Sequence, residues 1–302
     1  MVVLMEKNKK DFLEYLKYER SYSEKTVLNY DKDLNVFLDF CDLKKINDYK
    51  EIDFDFIRSY LKFLYSLKYS NKTISRHLSS LRSFFKYLLK ENIIDNNPTL
   101  LMSSPKKEQR LPNFINEVDL EKLFSIPDTS IPLGDRDELI LRMFYATGIR
   151  LSELSNIKVS DIDFYNRRIK IFGKGSKERY VLYGNNCHKS LERYLKNGRL
   201  KLLKDTTDYL FLNSKGEKLS GGGIEYIINK IVKKSGVTNN HITPHVFRHT
   251  FATSMLNEGS DLVTVKELLG HSNLSTTSIY THVSNEHLRN VYLNSHPRAR
   301  KK

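Results

Sequence analysis

Residues 243–283 read TPHVFRHTFATSMLNEGSDLVTVKELLGHSNLSTTSIYTHV, and this stretch carries most of the information about the protein. Thr243 followed by Pro244 is typical of a helix start, because proline lacks a backbone N–H and its fixed φ suits the first turn. Beyond a glycine, Val263–Leu269 predicts a second short helix, which another glycine closes. Leu274–Tyr280 predicts a third. The stretch therefore predicts consecutive helices that carry several histidines, an arginine and a tyrosine.

Three histidines at and just before the start of this stretch have a spacing that on one helix is typical of metal ligands. His241, His245 and His249 lie four residues apart. Pro244, however, predicts that the helix begins after His241, which removes this side chain from the shared face. No cysteine or carboxylate joins the set. The sequence therefore predicts no metal site, and it contains no motif for a cofactor.

Two motifs upstream carry one cation each. Arg150 lies in Ala-Thr-Gly-Ile-Arg-Leu-Ser-Glu-Leu, after a helix predicted over Asp135–Tyr145. Lys174 lies in Gly-Lys-Gly-Ser-Lys-Glu-Arg, a glycine turn between the alternating strand Arg168–Phe172 and a return strand over Arg179–Tyr183. Taken singly these motifs are weak, since a glycine turn is most often only a hairpin. Their significance lies in the order of the whole set.

In chain order the set is Arg150, Lys174, His245, Arg248, His271 and Tyr280. It resembles the active site of the tyrosine site-specific recombinases, the lambda-integrase family. All six expected positions match in the expected order, and the flanking residues agree almost continuously from His245 to Val283. The resemblance covers nearly the whole chain, and the ending His-Pro-Arg-Ala at 296–299 resembles the Xer branch, which resolves chromosome dimers.

The resemblance implies a nucleophilic role for Tyr280. Attack of its phenol on a DNA phosphodiester gives a 3′-phosphotyrosine and a free 5′-hydroxyl, and the stored bond energy lets the strand be rejoined without ATP. Arg150 and Arg248 suit the charge of the transition state, because a guanidinium binds two phosphate oxygens in a fork and stays protonated. The arrangement implies a DNA strand transferase that needs neither metal nor ATP.

The resemblance also implies roles for one lysine and two histidines. Lys174, a mobile ammonium on a hairpin tip, protonates the leaving 5′-oxygen. His245 and His271 hydrogen-bond the scissile phosphate and assist proton transfer at the tyrosine, and the sequence does not divide these two tasks between them. Lys177 and Arg179, on the same hairpin, are either phosphate contacts or solvated charges.

The first third of the chain predicts amphipathic helices. The last of these, from about Asn71 to Glu91, has an apolar stripe opposite a basic one. A solvated face is the ordinary interpretation, but cations separated by small hydroxyls also suit a helix in a DNA groove. The DNA contacts predicted on this helix are Lys72, Arg76, Ser83 and Lys86.

Three prolines exclude a helix from residues 96–113, which we interpret as a linker. Lys106 and Lys107 within it are typical of an extended segment that lies along a phosphate backbone. The predicted organisation is a helical-bundle DNA-binding domain at residues 1–95 and a mixed α/β catalytic domain at 114–302. The predicted fold class is thus mainly α with a small antiparallel β-hairpin or sheet.

Composition agrees with a nucleic-acid partner. The 302 residues include 50 Lys and Arg against 36 Asp and Glu, a net charge of +14, and a polyanion is the usual partner of such a surface. Cys41 and Cys187 are too few for a disulfide framework or a thiolate zinc site. Met1–Met5 is too short for a signal peptide, and no run approaches the ~18 apolar residues of a membrane helix. We therefore expect a cytoplasmic protein that binds double-stranded DNA and no membrane.

Assembly and biological role stay partly open. The resemblance implies four protomers that hold two duplexes and exchange strands through a Holliday junction, with Asn285–Asn294 docking on a neighbouring protomer. The sequence does not show whether the tetramer contains a sister recombinase, or whether a septal DNA translocase takes part. A mobile-element integrase remains the nearest alternative. A type IB topoisomerase fits the N-terminal helices poorly, and the intact set of six argues against a non-catalytic DNA-binding protein.

Overall fold

The computed structural model describes residues 2–105, 114–173, 178–238, 241–270 and 285–298. Within it the chain divides into two compact units, Met1–Gln109 and Arg110–Lys302. Both units are mainly helical, and the second also contains a small antiparallel sheet. The predicted fold class is confirmed. No helix in the described ranges is both long and apolar enough to cross a membrane.

Short polar side chains set the starts of the helices in the first unit. Ser23, Asp53 and Ser70 each accept a hydrogen bond from a backbone N–H in the first turn of the helix that follows. Each bond satisfies a donor that a helix start leaves without an internal partner. The helices are α1 (Val2–Tyr18), α2 (Glu24–Leu43), α3 (Phe54–Ser66) and α4 (Asn71–Lys90).

Helix α4 has the two faces that its sequence predicts. The apolar stripe is buried in an aromatic core, where the rings of Phe12 and Phe84 lie 5.1 Å apart. Lys72, Arg76 and Lys86 are exposed on the other face. The apolar stripe consists of Ile74, Leu78, Leu81, Phe85 and Leu88, each no more than 1% exposed. The periodicity therefore reports correctly which side of the helix reaches solvent.

The second unit packs helices and a sheet around one largely buried helix, α6. Its elements are α5 (Glu117–Ser125), α6 (Pro132–Thr147), α7 (Leu151–Leu154), β1 (Ile162–Asp163), β2 (Arg168–Phe172), β3 (Glu178–Leu182), α8 (Asn185–Arg193), α9 (Leu200–Leu202), α10 (Gly221–Ser235), α11 (Pro244–Asn257), α12 (Leu262–Leu269) and α13 (Asn285–Ser295). Helix α6 extends beyond its predicted limits at both ends, because Pro132 starts it and a left-handed glycine, Gly148, ends it.

The sheet is antiparallel in the order β1-β2-β3, and Ile169 pairs with Val181 in its buried face. The predicted hairpin is confirmed, although β3 begins one residue before the predicted return strand. Strand β1 was not predicted, because two residues are too few to show an alternating pattern. The hairpin tip, residues 174–177, lies outside the described residues.

One predicted helix is divided in the structure. The sequence around Cys187–Arg199 favours helix throughout, whereas the structure ends α8 at Arg193 and continues as a π-helical turn, Tyr194–Arg199, into α9. Gly198 lies in this turn, where an added Cβ would approach the Tyr194 ring to 2.8 Å. Helical periodicity does not distinguish a widened turn from an ordinary one.

The C-terminal helix packs against its own unit. Tyr292 of α13 is 1% exposed, and its hydroxyl donates to the Ala146 carbonyl at 3.0 Å. His296 is fully buried, with Nε2 3.2 Å from the Tyr145 carbonyl. Burial lowers the pKa of His296 to about 4, so the ring is neutral and donates from Nε2. The predicted helix Asn285–Asn294 is thus confirmed. Its last turn packs against the end of α6.

Candidate active site

Arg150 is placed by the sharp turn that follows α6. Gly148 takes a left-handed conformation, with φ of 58°, and Arg150 then begins α7 in extended conformation. Its backbone N–H donates to Glu153 Oε2 at 2.9 Å, while its side-chain Nη1 donates to Oε1 at 2.9 Å. Nη2 donates to the Gly270 carbonyl at 3.2 Å. The guanidinium is therefore fixed by two elements while 37% of the side chain stays exposed.

Glu153 is the buried anion of the site, with a side chain only 3% exposed. It accepts from Arg150 on one side and from both terminal nitrogens of Arg179 on the other, at 2.7 and 3.0 Å. Burial alone would raise the pKa of Glu153, but the hydrogen bonds from the two arginines outweigh it and lower that pKa. The carboxylate is therefore held ionised between two cations.

Arg179, on β3, is not a solvated hairpin charge. Its side chain is 17% exposed and forms a forked ion pair with Glu153. The solvated interpretation is therefore wrong, because the sequence does not reveal this partner 26 residues away. A phosphate contact by Arg179 remains a prediction. The role that the structure does show is to complete the ion pairing of the carboxylate that orients Arg150.

Arg248 lies deeper than Arg150, on α11, and is 7% exposed. Nη1 donates to the Gly148 carbonyl at 2.6 Å, and Nη2 donates to the Leu269 carbonyl at 2.7 Å. Both acceptors lie at helix C-termini, where carbonyls have no helical partner and the helix dipole is negative. Burial, together with the nearby charges of Arg150 and Arg179, lowers the pKa of Arg248. A bound phosphate would relieve this repulsion.

Two glycines of the site leave room for neighbouring side chains to pack closely against the backbone. At Gly148, φ of 58°, an added Cβ would lie 2.7 Å from side-chain atoms of Leu269 and Phe251. At Gly270, φ of 66°, it would lie 2.7 Å from Cδ and Nε of Arg179. The sequence predicted that Gly270 ends a helix, but not that it lies against Arg179, and it predicted no role for Gly148. Their positions at the ends of periodic helical segments were the available signal.

Two family descriptions match this chain. Residues 113–287 match "Phage integrase family", and residues 10–92 match "Phage integrase, N-terminal SAM-like domain". The chain belongs to the phage integrase family. The match confirms the resemblance inferred from the six-residue set, and the chain is accordingly a tyrosine recombinase of the Xer type.

Relatives and solved structures of this family cover almost the whole recombinase. Tyrosine recombinase XerC of Anoxybacillus flavithermus is 46% identical over 291 residues, which cover 95% of this chain and 97% of the relative. Tyrosine recombinase XerC of Bacillus subtilis is 45% identical over 294 residues, with 96% of each chain covered. The XerH site-specific recombinase bound to palindromic difH substrate, a post-cleavage complex, has a TM-score of 0.71 at 27% identity, covering 94% of this chain and 84% of that one.

A fourth comparison concerns the fold alone. The Tn1549 transposon integrase in complex with transposon right end DNA has a TM-score of 0.74 at 19% identity, and it covers 94% of this chain and 97% of that chain. The two-part architecture of the recombinase is therefore shared with a more distant integrase.

The described residues bring together four side chains of the recombinase, those of Arg150, Glu153, Arg179 and Arg248. His245 is exposed in the first turn of α11, one turn before Arg248 and hence on the same face. Several predicted site residues lie outside the described ranges, and the structure leaves their roles as predictions. They are Lys106, Lys107, Lys174, Lys177, His271 and Tyr280.

Neighbouring residues of α11 have structural roles. Thr250 accepts from the Ile115 backbone N–H at 2.9 Å and donates to the Val246 carbonyl at 2.8 Å. His241 precedes the helix, as Pro244 predicted. Within the described parts of the recombinase, no group of three or more His, Cys, Asp or Glu side chains has the arrangement of a metal site.

Proposed function

We propose that this recombinase cleaves and rejoins DNA at a specific site through a 3′-phosphotyrosine and a Holliday junction. The observation that carries the proposal is the placement of Arg150 and Arg248. They come from separate helices, yet they donate to the successive carbonyls of Leu269 and Gly270, immediately before His271. Two fixed guanidinium groups provide a cradle for one phosphate.

The charge of the cluster favours an anion. Three arginines, 150, 179 and 248, face a single carboxylate, so the four side chains carry a net charge of +2. The contacts described above use two of the five N–H groups of Arg150. The others can donate to non-bridging phosphate oxygens, whose negative charge grows in the transition state. Because these donors are positioned in advance, little reorganisation is needed at the moment of reaction.

The proposed reaction begins with attack by the Tyr280 oxygen on phosphorus. The P–O5′ bond breaks as the P–O(Tyr) bond forms, and Lys174 gives a proton to the leaving 5′-oxygen. His245 and His271 bind the phosphate and help remove the phenolic proton. The reverse sequence, with a 5′-hydroxyl from the partner duplex as the nucleophile, joins the exchanged strands.

DNA contacts outside the catalytic centre are proposed for both units. The domain of residues 1–95 holds the duplex, the linker at 96–113 follows the backbone, and residues 114–302 perform the chemistry. The proposed contacts are Lys72, Arg76, Ser83, Lys86, Lys106, Lys107, Lys177 and Arg179. Support comes from the exposure of the three cations of this set on α4 and from the DNA-bound XerH relative.

The biological role proposed is resolution of chromosome dimers at a terminus site in the cytoplasm. Identities of 46% and 45% to proteins named XerC support it. The working assembly is a tetramer on DNA, formed with identical protomers or with a sister recombinase. In this assembly we propose that the C-terminal segment leaves the packing on its own unit and docks on a neighbour. A septal DNA translocase is a further proposed partner. A mobile-element integrase would instead act at the ends of an element.

Covalent trapping tests the reaction. The protein and its Tyr280→Phe variant are each incubated with end-labelled duplexes of candidate terminus sites that carry a nick beside the cleavage point, without metal or ATP. The proposal expects an adduct that resists denaturation from the wild type alone, followed by strand transfer to a second duplex. Adduct formation by both proteins overturns it, and so does the lack of any adduct despite binding when a sister recombinase is also present. Swivelling of one duplex without strand transfer indicates a topoisomerase.

A further inference from the structure

A buried polar cluster lies inside the first unit, where apolar packing is otherwise the rule. Asp33 of α2 has a side chain only 2% exposed. It accepts hydrogen bonds from Ser80 at 2.7 Å and from the guanidinium of Arg76, and Nε2 of His77 lies 3.2 Å from it. All three residues lie on α4. One carboxylate therefore ties α2 to three positions of the helix that carries the predicted DNA contacts.

The remaining members of the cluster are neutral. Nδ1 of His77 and the Tyr60 hydroxyl form a hydrogen bond of 2.9 Å, and Nε2 of the same ring faces Asp33. Burial lowers the pKa of His77 and raises that of Tyr60. Arg76 is thus the one permanently charged partner of Asp33 among the described residues. It is also the one member that reaches solvent, with 45% of its side chain exposed.

The surroundings of Arg76 suit a polyanion. Helix α4 contains five Lys or Arg residues and no Asp or Glu. Lys72 and Lys86 are exposed on the same stripe as Arg76. The acid that meets this stripe at Arg76 comes from α2 and is buried beneath it. A carboxylate in this position holds the guanidinium from the protein side and leaves the outer side to a ligand.

Stability alone is a poor explanation for this arrangement. Burying an ion pair seldom adds net stability, because desolvation of the charges offsets their attraction. Holding an arginine side chain in place before binding has a different benefit. It removes part of the side-chain entropy that would otherwise be lost when the guanidinium binds a phosphate.

We propose that Asp33 is a positioning residue for DNA binding, which holds Arg76 ready to contact a backbone phosphate. The inference rests on the proposed function only in taking DNA as the ligand. It also makes a prediction opposite in sign to simple electrostatics. Removing an acid near a polyanion should strengthen binding, whereas removing the residue that positions Arg76 should weaken it.

The test is the affinity of Asp33→Asn for a short duplex of mixed sequence, because a phosphate contact does not depend on base sequence. We expect affinity to fall ~2- to 10-fold, the range for the ordering of one long side chain. Asp39→Asn is the matched control, since Asp39 is an exposed acid on the same helix and has no described contact with Arg76. Its affinity should stay equal or rise. Equal or tighter binding by Asp33→Asn overturns the inference.

A double-mutant cycle separates positioning from general damage. Arg76→Ala should weaken binding, and the slope of log affinity against log salt concentration should fall by the contribution of about one phosphate contact. Adding Asp33→Asn to Arg76→Ala should change affinity less than twofold. An undiminished effect of Asp33→Asn in the Arg76→Ala background overturns the inference. If Asp33→Asn does not fold, Ser80→Ala replaces it in the same cycle, because this variant removes one donor to Asp33 and leaves both charges in place.

A direct readout is the mobility of Arg76 in the DNA-free protein. NMR relaxation of its Nε–H group should show greater motion in Asp33→Asn than in Asp39→Asn, and equal motion contradicts the inference. Failure of the proposed reaction is recognised separately. A wild type that binds DNA through Arg76 but forms no covalent adduct contradicts the catalytic proposal and leaves the positioning role of Asp33 intact.

Discussion

Arg248 and Arg150 donate hydrogen bonds to two successive carbonyl oxygens, those of Leu269 and Gly270, at 2.7 and 3.2 Å. The end of α12 is therefore held by both guanidinium groups. His271 follows directly in the sequence, so we expect a displacement of either arginine to move the backbone at Leu269 and Gly270, immediately before the histidine. The contacts predict that the two arginines act on the arrangement of the site as well as on phosphate charge.

Arg248→Lys should be strongly defective. One ammonium cannot reproduce the fork that joins the carbonyls of Gly148 and Leu269. We expect the single-turnover cleavage rate to fall ~10²- to 10³-fold, the usual effect of removing one fixed donor to transition-state charge. Arg58→Lys, at an exposed arginine of α3, is the control and should cleave normally. Wild-type cleavage by Arg248→Lys would contradict the account.

Glu153→Gln should change how the free energy of unfolding depends on pH. Burial raises the pKa of Glu153, but hydrogen bonds from Arg179 and Arg150 lower it overall. The carboxylate therefore contributes stability above the ordinary glutamate value of ~4.3, and this contribution is lost as pH falls through the lower folded-state pKa. Compared with wild type, the variant should be less stable at neutral pH and lose less stability below pH ~4.3. Urea unfolding at several pH values measures this, and parallel profiles for the two proteins would count against it.

Gly270→Ala should impair catalysis beyond its effect on folding. The left-handed backbone at this position costs a side chain ~1–2 kcal/mol, and the new Cβ would also displace Arg179. Gly236 provides a matched control, because its φ of 64° is almost the same and nothing lies within 4 Å of its added Cβ. Both variants should lose stability in thermal unfolding, and Gly270→Ala should lose more, because the displaced Arg179 weakens its ion pair with Glu153. Only Gly270→Ala should also cleave more slowly, and equal cleavage by the two would refute the proposed contact.

Lys174→Ala should be rescued by a better leaving group. If Lys174 protonates the 5′-oxygen, a substrate with sulfur at that bridging position needs no general acid, because a thiolate leaves unprotonated. We expect this substrate to restore cleavage by Lys174→Ala and to leave Arg150→Ala defective. Cleavage rates on matched oxygen and sulfur substrates measure the difference. Failure to rescue Lys174→Ala, or equal rescue of both variants, would exclude the acid role.

Acidification should loosen the C-terminal segment. Burial lowers the pKa of His296 from 6.5 to about 4, so the packed segment keeps the ring neutral. The released segment takes up a proton first, and packing therefore weakens as pH falls from 6.5 towards 4. The protection factors of the backbone amides in residues 285–298, which are corrected for the intrinsic pH dependence of exchange, should fall over this range. His296→Gln, which stays neutral, should show a flatter response, and an identical response in both proteins would contradict the assignment.

Patterns among residues close in sequence predicted most of the helices and the order of the candidate site residues along the chain. The period of apolar residues in α4 identified its buried face, and Pro244 located the start of α11, because both signals depend on neighbours in sequence. The hairpin of β2 and β3 followed from alternation around a glycine turn. These are short-range features, and the structure reproduces them to within a residue or two.

Contacts between distant residues were not predictable in the same way. Nothing in the hairpin sequence shows that Arg179 faces Glu153, or that Asp33 of α2 lies beneath Arg76 of α4. Burial of His296 likewise depends on where α13 meets the end of α6. In each case the partner is chosen by tertiary packing, which periodicity and turn chemistry do not encode.

Mass spectrometry of the covalent adduct identifies the residue that attacks the DNA. After trapping on a nicked duplex, nuclease and protease digestion should leave one peptide that carries a nucleotide. We expect a phosphodiester between the 3′ end of the cleaved strand and the hydroxyl of Tyr280. Attachment to another tyrosine such as Tyr292, or linkage through a 5′-phosphate, would contradict it.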